Sequence, residues 1–288
     1  MSGYVKPKKK LHREFLYLNH DTVLNALSAF EAGKVDEIIQ KASEAREGGL
    51  EGSLGYGPVK ASGGRKKTAN IEEELTRTRT IFSAFEAWYT HLDEEKAFGE
   101  LTGWDEETRD ELGVGDTITF RARVSLSPIQ QVFLTFIAFA AESTNPNSAL
   151  KQPTAQAAQM KKTASMIAGW LRGSNGATNI QVYVAPLGID EPRMAARLDE
   201  RYLVGGTQAV EGEFTVVGQI ESLIELGKPV PAMRLLRDTP PTPLETDTIN
   251  NALSNMIEGA AGLGLDVSSN DLTLKNPGVI LHPIAIFR

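Results

Sequence analysis

The residues with the most chemical potential are a basic cluster in a glycine-rich stretch and four scattered histidines, in a chain without cysteine. The missing cysteine excludes disulfides, thiolate nucleophiles, thiolate metal sites and iron–sulfur ligation. The basic cluster lies in LGYGPVKASGGRKKT, residues 54–68, where Lys60, Arg65, Lys66 and Lys67 form a candidate interaction or anion-binding site. A Walker loop needs glycine, four residues and then Gly-Lys-Thr/Ser, because its backbone amides wrap the phosphates before the lysine reaches them. Here Lys66 replaces the second glycine and Ala61 the first. GYGPVK begins like a dinucleotide fingerprint, but Lys60 takes the third glycine's place and no clear strand precedes it. The stretch reads as a loop.

Of His12, His20, His91 and His282, only His20 is followed directly by a carboxylate, Asp21. Neighbours in sequence do not make a triad, which is convergence in space, and no G-x-S-x-G elbow accompanies them. The alternative site is a concave one joining His20, Asp21, Arg121 and Arg123. His282, between Leu281 and Pro283, reads as a structural hydrogen-bonding group. Neither H-E-x-x-H nor EF-hand spacing is present, and the acidic runs IEEEL, LDEEK and WDEETRDEL read as solvated helix ends. No metal and no cofactor is therefore expected.

The elements that must position these groups are those of a globular chain of 288 residues, 41% hydrophobic and 23% charged. The formal charge of −7 disfavours nucleic acid as a general partner. Arg77 and Arg79 extend the basic cluster, but Glu72, Glu73 and Glu74 interrupt it, and Trp88 and Tyr89 belong to a core face rather than a stacking platform. FLYL is too short for a signal-peptide core, and VFLTFIAFAA (132–141) is too short to span a bilayer and reads as a buried helix. A cytoplasmic protein without a transmembrane segment is expected.

Residues 1–13 form a basic arm before a body spanning 14–288, with a division into two subdomains left open near 142–153. Helical spacing marks 21–45, entered through Asn19 or Asp21, together with 71–92, 129–141 and 154–171. In the last of these Met160, Met166 and Ile167 are expected in the core. Period-two alternation marks 115–126 and 179–186, and further strands fall within 201–236. GDTITFRARV and EGEFTVVGQI share a glycine–acid turn leading into an alternating strand. The strand in GVILHPIAIFR is expected to complete a sheet begun by Phe15–Leu18. The fold class is α+β, a mainly antiparallel sheet with several packed helices.

EFLYLNHDTVLNALSAFEAG, GYGPVKASGG, EEELTRTRTIFSAFEAWY, EGEFTVVGQIESLIELGK and NPGVILHPIAIFR together resemble the bacterial family DUF6414 over nearly the full chain. The resemblance implies one architectural type and carries no active-site roles. The expected function is that of a cytoplasmic regulatory or protein-interaction protein, non-enzymatic, with the 47–69 loop contacting an acidic protein or a small anionic ligand. Two alternatives stay open. One is a small-molecule or nucleotide sensor, extending to an enzyme with an unrecognised site. The other is weak nucleic-acid binding through the basic loop.

Overall fold

Strict alternation of apolar and polar side chains over Thr117–Leu126 sets the character of the centre of the molecule. Ile118, Phe120, Ala122 and Val124 are buried, while Arg121 and Arg123 are exposed. The computed structural model describes residues 13–31, 81–172, 176–189, 193–205, 210–236 and 267–288. In chain order these contain β1 (Phe15–Leu18), α1 (His20–Glu31) and the helical residues 81–94, here α2. Next come β2 (Gly99–Glu100), α3 (Glu106–Glu111), β3 (Thr117–Leu126), α4 (Pro128–Glu142) and α5 (Thr154–Leu171). β4 (Asn179–Pro186), β5 (Arg193–Asp199), β6 (Gly212–Leu223), β7 (Val230–Pro231), β8 (Thr273–Leu274) and β9 (Gly278–Phe287) follow. The α+β class is as expected.

The chain forms two units. One comprises Met1–Leu18 and Gly99–Arg288, the other Asn19–Phe98.

In the first unit, β3, β4, β5, β9 and β6 pair in that order and β6 returns to β3, so the sheet closes on itself. All of these pairings are antiparallel except β5–β9. β2 extends β3 in parallel, and β1 pairs antiparallel with β9, the partnership expected from the sequence. The two segments with similar glycine–acid openings prove to be direct partners, with Thr117 opposite Gln219 and Val124 opposite Gly212. The interior is filled by Ile118, Phe120, Ile180, Val182, Met194, Leu198, Phe214, Val216, Val279, Leu281 and Ile286, among others. It is a packed core.

Along β9 the inward residues change from odd to even numbers between Leu281 and Ile286. A bulge explains this: Val217 pairs with Ala285 but Gly218 with Pro283, leaving Ile284 as the extra residue. Pro283, which has no amide proton to give a ladder, sits at this break. Gly218 suits this close approach, since a Cβ would lie a tight 3.1 Å from the His282 carbonyl oxygen.

α4 begins at Ser127, whose Oγ accepts from the Gln130 amide at 3.2 Å, with proline at the first helical position. The turn-rich residues after Glu142 lead into α5, and the helices pack through Ile129, Phe133, Ile167 and Leu171. Ile167 is core as expected. Met166 is not: its side chain is 48% exposed, because it falls on the side of α5 turned away from that seam. Leu134 of the expected buried helix is likewise exposed.

In the second unit Asn19, rather than Asp21, caps α1, accepting from the Thr22 amide at 3.1 Å. Phe85, Trp88 and Leu92 of α2 are buried at helical spacing, and the Phe85 ring stacks on Tyr89 at 5.6 Å.

Candidate functional site

Lys60, Arg65, Lys66 and Lys67, with the 47–69 loop that carries them, lie outside the described residues. The alternative set divides between the units. His20 opens α1, with Nε2 3.4 Å from Asp21 Oδ1. Arg121 and Arg123 project from β3 in the other unit, two positions apart and therefore on one side of the strand. Arg123 is engaged by its cross-strand neighbour, Nη2 to Glu213 Oε1 at 3.2 Å. An exposed pair of this kind holds a strand register rather than a reacting group. Among the described residues no group of three or more histidine, aspartate or glutamate side chains is placed to hold a metal ion.

The polar arrangement that the sequence did not reveal lies on the outer face of β4 and β5. The Arg193 guanidinium sits 5.1 Å from the centre of the Tyr183 ring and reaches Asp271 Oδ1 at 3.4 Å. Tyr183 Oη donates to the Asp271 carbonyl at 3.4 Å. Asp271 is held in turn by the Ser268 amide and hydroxyl, at 3.0 and 2.9 Å. Burial raises the Tyr183 pKa, against the opposing pull of Arg193, so the phenol stays protonated and acts as a donor. Beneath these groups Ala195 and Ile280 pack with Ile224, Leu235 and Leu274, and the 3-10 turn Ala232–Leu236 lies against both strands. The chain covers the middle of this face with its own segments, while Ala185, Arg193 and Arg197 remain exposed. No motif could have signalled it, since Arg193, Tyr183 and Asp271 are brought together only by register.

A second buried polar cluster ties α4 to β4. Ser127 Oγ donates to Gln181 Oε1 at 3.1 Å, and the Gln181 amide donates to Gln130 Oε1 at 3.4 Å. Both glutamines are fully buried and each leaves its Nε2 without a partner. His282 instead faces outward from β9, opposite Gln219. Its pKa is lowered mainly by burial among its neighbours, with Glu221 opposing and Arg197 reinforcing the shift.

Numbered as barrel strands, β3, β4, β5, β6 and β9 run first-second-third-fifth-fourth around the ring, with the third and fifth parallel. That is the connectivity of the five-stranded Greek-key barrel of OB type, whose ligands rest on the face of its second and third strands between the first–second and fourth–fifth connections. Here that face is β4–β5, and those connections are residues 127–178 and 224–277. The chain belongs to the DUF6414 family, described as a domain of unknown function, which matches residues 12–287. No curated protein and no solved structure matches it.

Proposed function

We propose that this protein is a cytoplasmic regulatory or protein-interaction protein that works through outward surfaces rather than through a catalytic pocket. The observation that carries the reading is the packing of the chain's own segments over the middle of the β4–β5 face. An OB-type barrel offers that face to oligonucleotides or oligosaccharides, but a fold does not confer a function without its site. In this chain Tyr183, Arg193 and Asp271 satisfy one another there, and Ala195 and Ile280 are sealed under Leu235 and Leu274. The barrel interior is filled as well. Packing of the interior and of the middle of that face favours recognition through the insertions and the outer surface. The formal charge of −7 supports a protein partner over a polyanion.

Native mass spectrometry of the protein, purified gently from its source, tests this. A macromolecular partner in fixed stoichiometry is the expected result. A stoichiometric bound metabolite with no protein partner would overturn it in favour of a small-molecule sensor.

A further inference from the structure

We infer that the root of the α4–α5 insertion is an internal binding site for one small hydrogen-bond acceptor, a water molecule or a chloride ion. The side-chain amines of Gln130 and Gln181 share this guest. Both glutamines are 0% exposed, as is Ser127 beside them. Neither Nε2 has a partner within the protein, so four N–H bonds are buried without an acceptor. Donors buried unmet are costly, and native structures ordinarily supply them with a partner from protein or solvent.

The shortage is one of acceptors. Ser127 Oγ takes the Gln130 amide, Gln181 Oε1 takes the Ser127 hydroxyl, and Gln130 Oε1 takes the Gln181 amide. The Gln181 carbonyl accepts from the Ser127 amide at 3.0 Å, and the Leu126 carbonyl accepts from Gln131 Nε2 at 3.1 Å. Each of these oxygens is engaged, and the two amines remain. An amide nitrogen lies about 2.2 Å from its own oxygen. The bonds of 3.1 and 3.4 Å that tie these side chains together therefore hold both amines in one small cluster. Gln130 cannot turn its amide over, because the Gln181 N–H would then face another donor.

The cluster also lies at the positive end of α4. Gln130 belongs to the first turn of that helix, which contains no carboxylate. A water held here accepts from both amines. A chloride does the same and also answers the charge of the helix end. Either guest links the first turn of α4 to β4 and so helps to seat the insertion on the barrel.

NMR of the isotopically labelled full chain tests this in the parent protein, where through-bond correlation assigns both side-chain amides. Two arms separate the guests. In sodium gluconate, a long-lived water should give cross-relaxation to the Nε2 protons of Gln130 and Gln181 alike. On titration with sodium chloride at constant ionic strength, a bound chloride should shift those same protons to saturation while other buried side-chain amides stay still. Gln130→Met should abolish either signal at Gln181, as a shared guest requires, and the parent spectra decide the case even where that variant fails to fold. Neither signal at either residue, or a signal at one residue only, would overturn the inference. So would a Gln181 amide turned over to accept from Gln130 Nε2 directly, or a Gln181 signal unchanged in a folded Gln130→Met variant.

Discussion

Glu14 and Arg288, 274 positions apart, grip each other through main chain and side chain alike. The Glu14 amide donates to the Arg288 carbonyl at 2.8 Å and the Arg288 amide to the Glu14 carbonyl at 3.0 Å. The guanidinium forks onto the carboxylate at 2.7 and 3.1 Å. These contacts continue the β1–β9 ladder by one pair of residues.

The fork makes stability depend on acid. Hydrogen bonding and charge from Arg288 lower the Glu14 pKa below its ordinary 4.5. The depressed value means that the contribution is present above pH 4.5 and is lost as pH falls through the folded-state pKa. Glu14→Gln should therefore flatten the dependence of Tm on pH in that acidic window. Because the pair is exposed, added salt should shrink the difference. A Tm profile identical to the parent's at every pH and ionic strength would show that the fork contributes nothing.

His282 carries the opposite charge logic. Burial lowers its folded pKa below 6.5, an effect that Arg197 reinforces and Glu221 opposes. The unfolded chain then binds the proton more readily, so stability should rise with pH up to about 6.5 and level off above it. His282→Gln should remove that slope. An imidazole NMR titration with a midpoint at or above 6.5 would refute the account.

Two glycines should respond to alanine in opposite directions. At Gly278 a Cβ would lie 2.6 Å from the Lys275 carbonyl oxygen and 3.0 Å from Ile224, so Gly278→Ala should cost about 1–3 kcal/mol through overpacking. Gly169, within α5, has nothing within 4 Å of that position, and Gly169→Ala should gain about 0.5–1 kcal/mol of helix propensity. Urea denaturation reads both. Matching signs would contradict the local geometry.

Ser127 is both a helix cap and a partner of Gln181. Ser127→Ala should cost about 1–2 kcal/mol, since it removes the cap and strands a buried carbonyl oxygen. Gln130→Leu removes one unpartnered amide but strands the buried Gln181 backbone N–H, so it should also destabilise, by about 1–3 kcal/mol. A Gln130→Leu variant as stable as the parent would mean that this N–H finds another partner, for instance buried water.

The strands that were legible in the sequence are those whose alternation uses branched and aromatic residues. Ile118, Phe120 and Val124 announce β3, as Ile180, Val182 and Val184 announce β4. β5, RMAARLD, alternates except at Ala195, with Met194, Ala196 and Leu198 inward. Its sequence conceals the strand because alanine, methionine, leucine and arginine are helix formers, so local preference opposes the state imposed by its neighbours β4 and β9. Closure of the ring was illegible for a different reason. It depends on β9 pairing with β5, β6 and β1 at once, and no local pattern records such partnerships. The Arg193–Asp271 contact inherits that limit. Met166 follows the same logic: an apolar residue next to a buried stripe is indistinguishable from it in sequence, and only the direction of the partner helix leaves it exposed.

The arrangement of the ring also bears on how the protein is made. Of the described strands β1 leaves the ribosome earliest, yet its ladder partner β9 follows residues 19–98 and every other barrel strand. Until then the nascent body carries β5 and β6 with their β9-facing edges open, and such edges invite pairing with other chains. A transcript cut short before residue 278 would yield a polypeptide without Val279, Leu281 and Ile286 of the interior and without the strand that closes the ring. Closure of the ring therefore waits on synthesis of the ten-residue strand Gly278–Phe287.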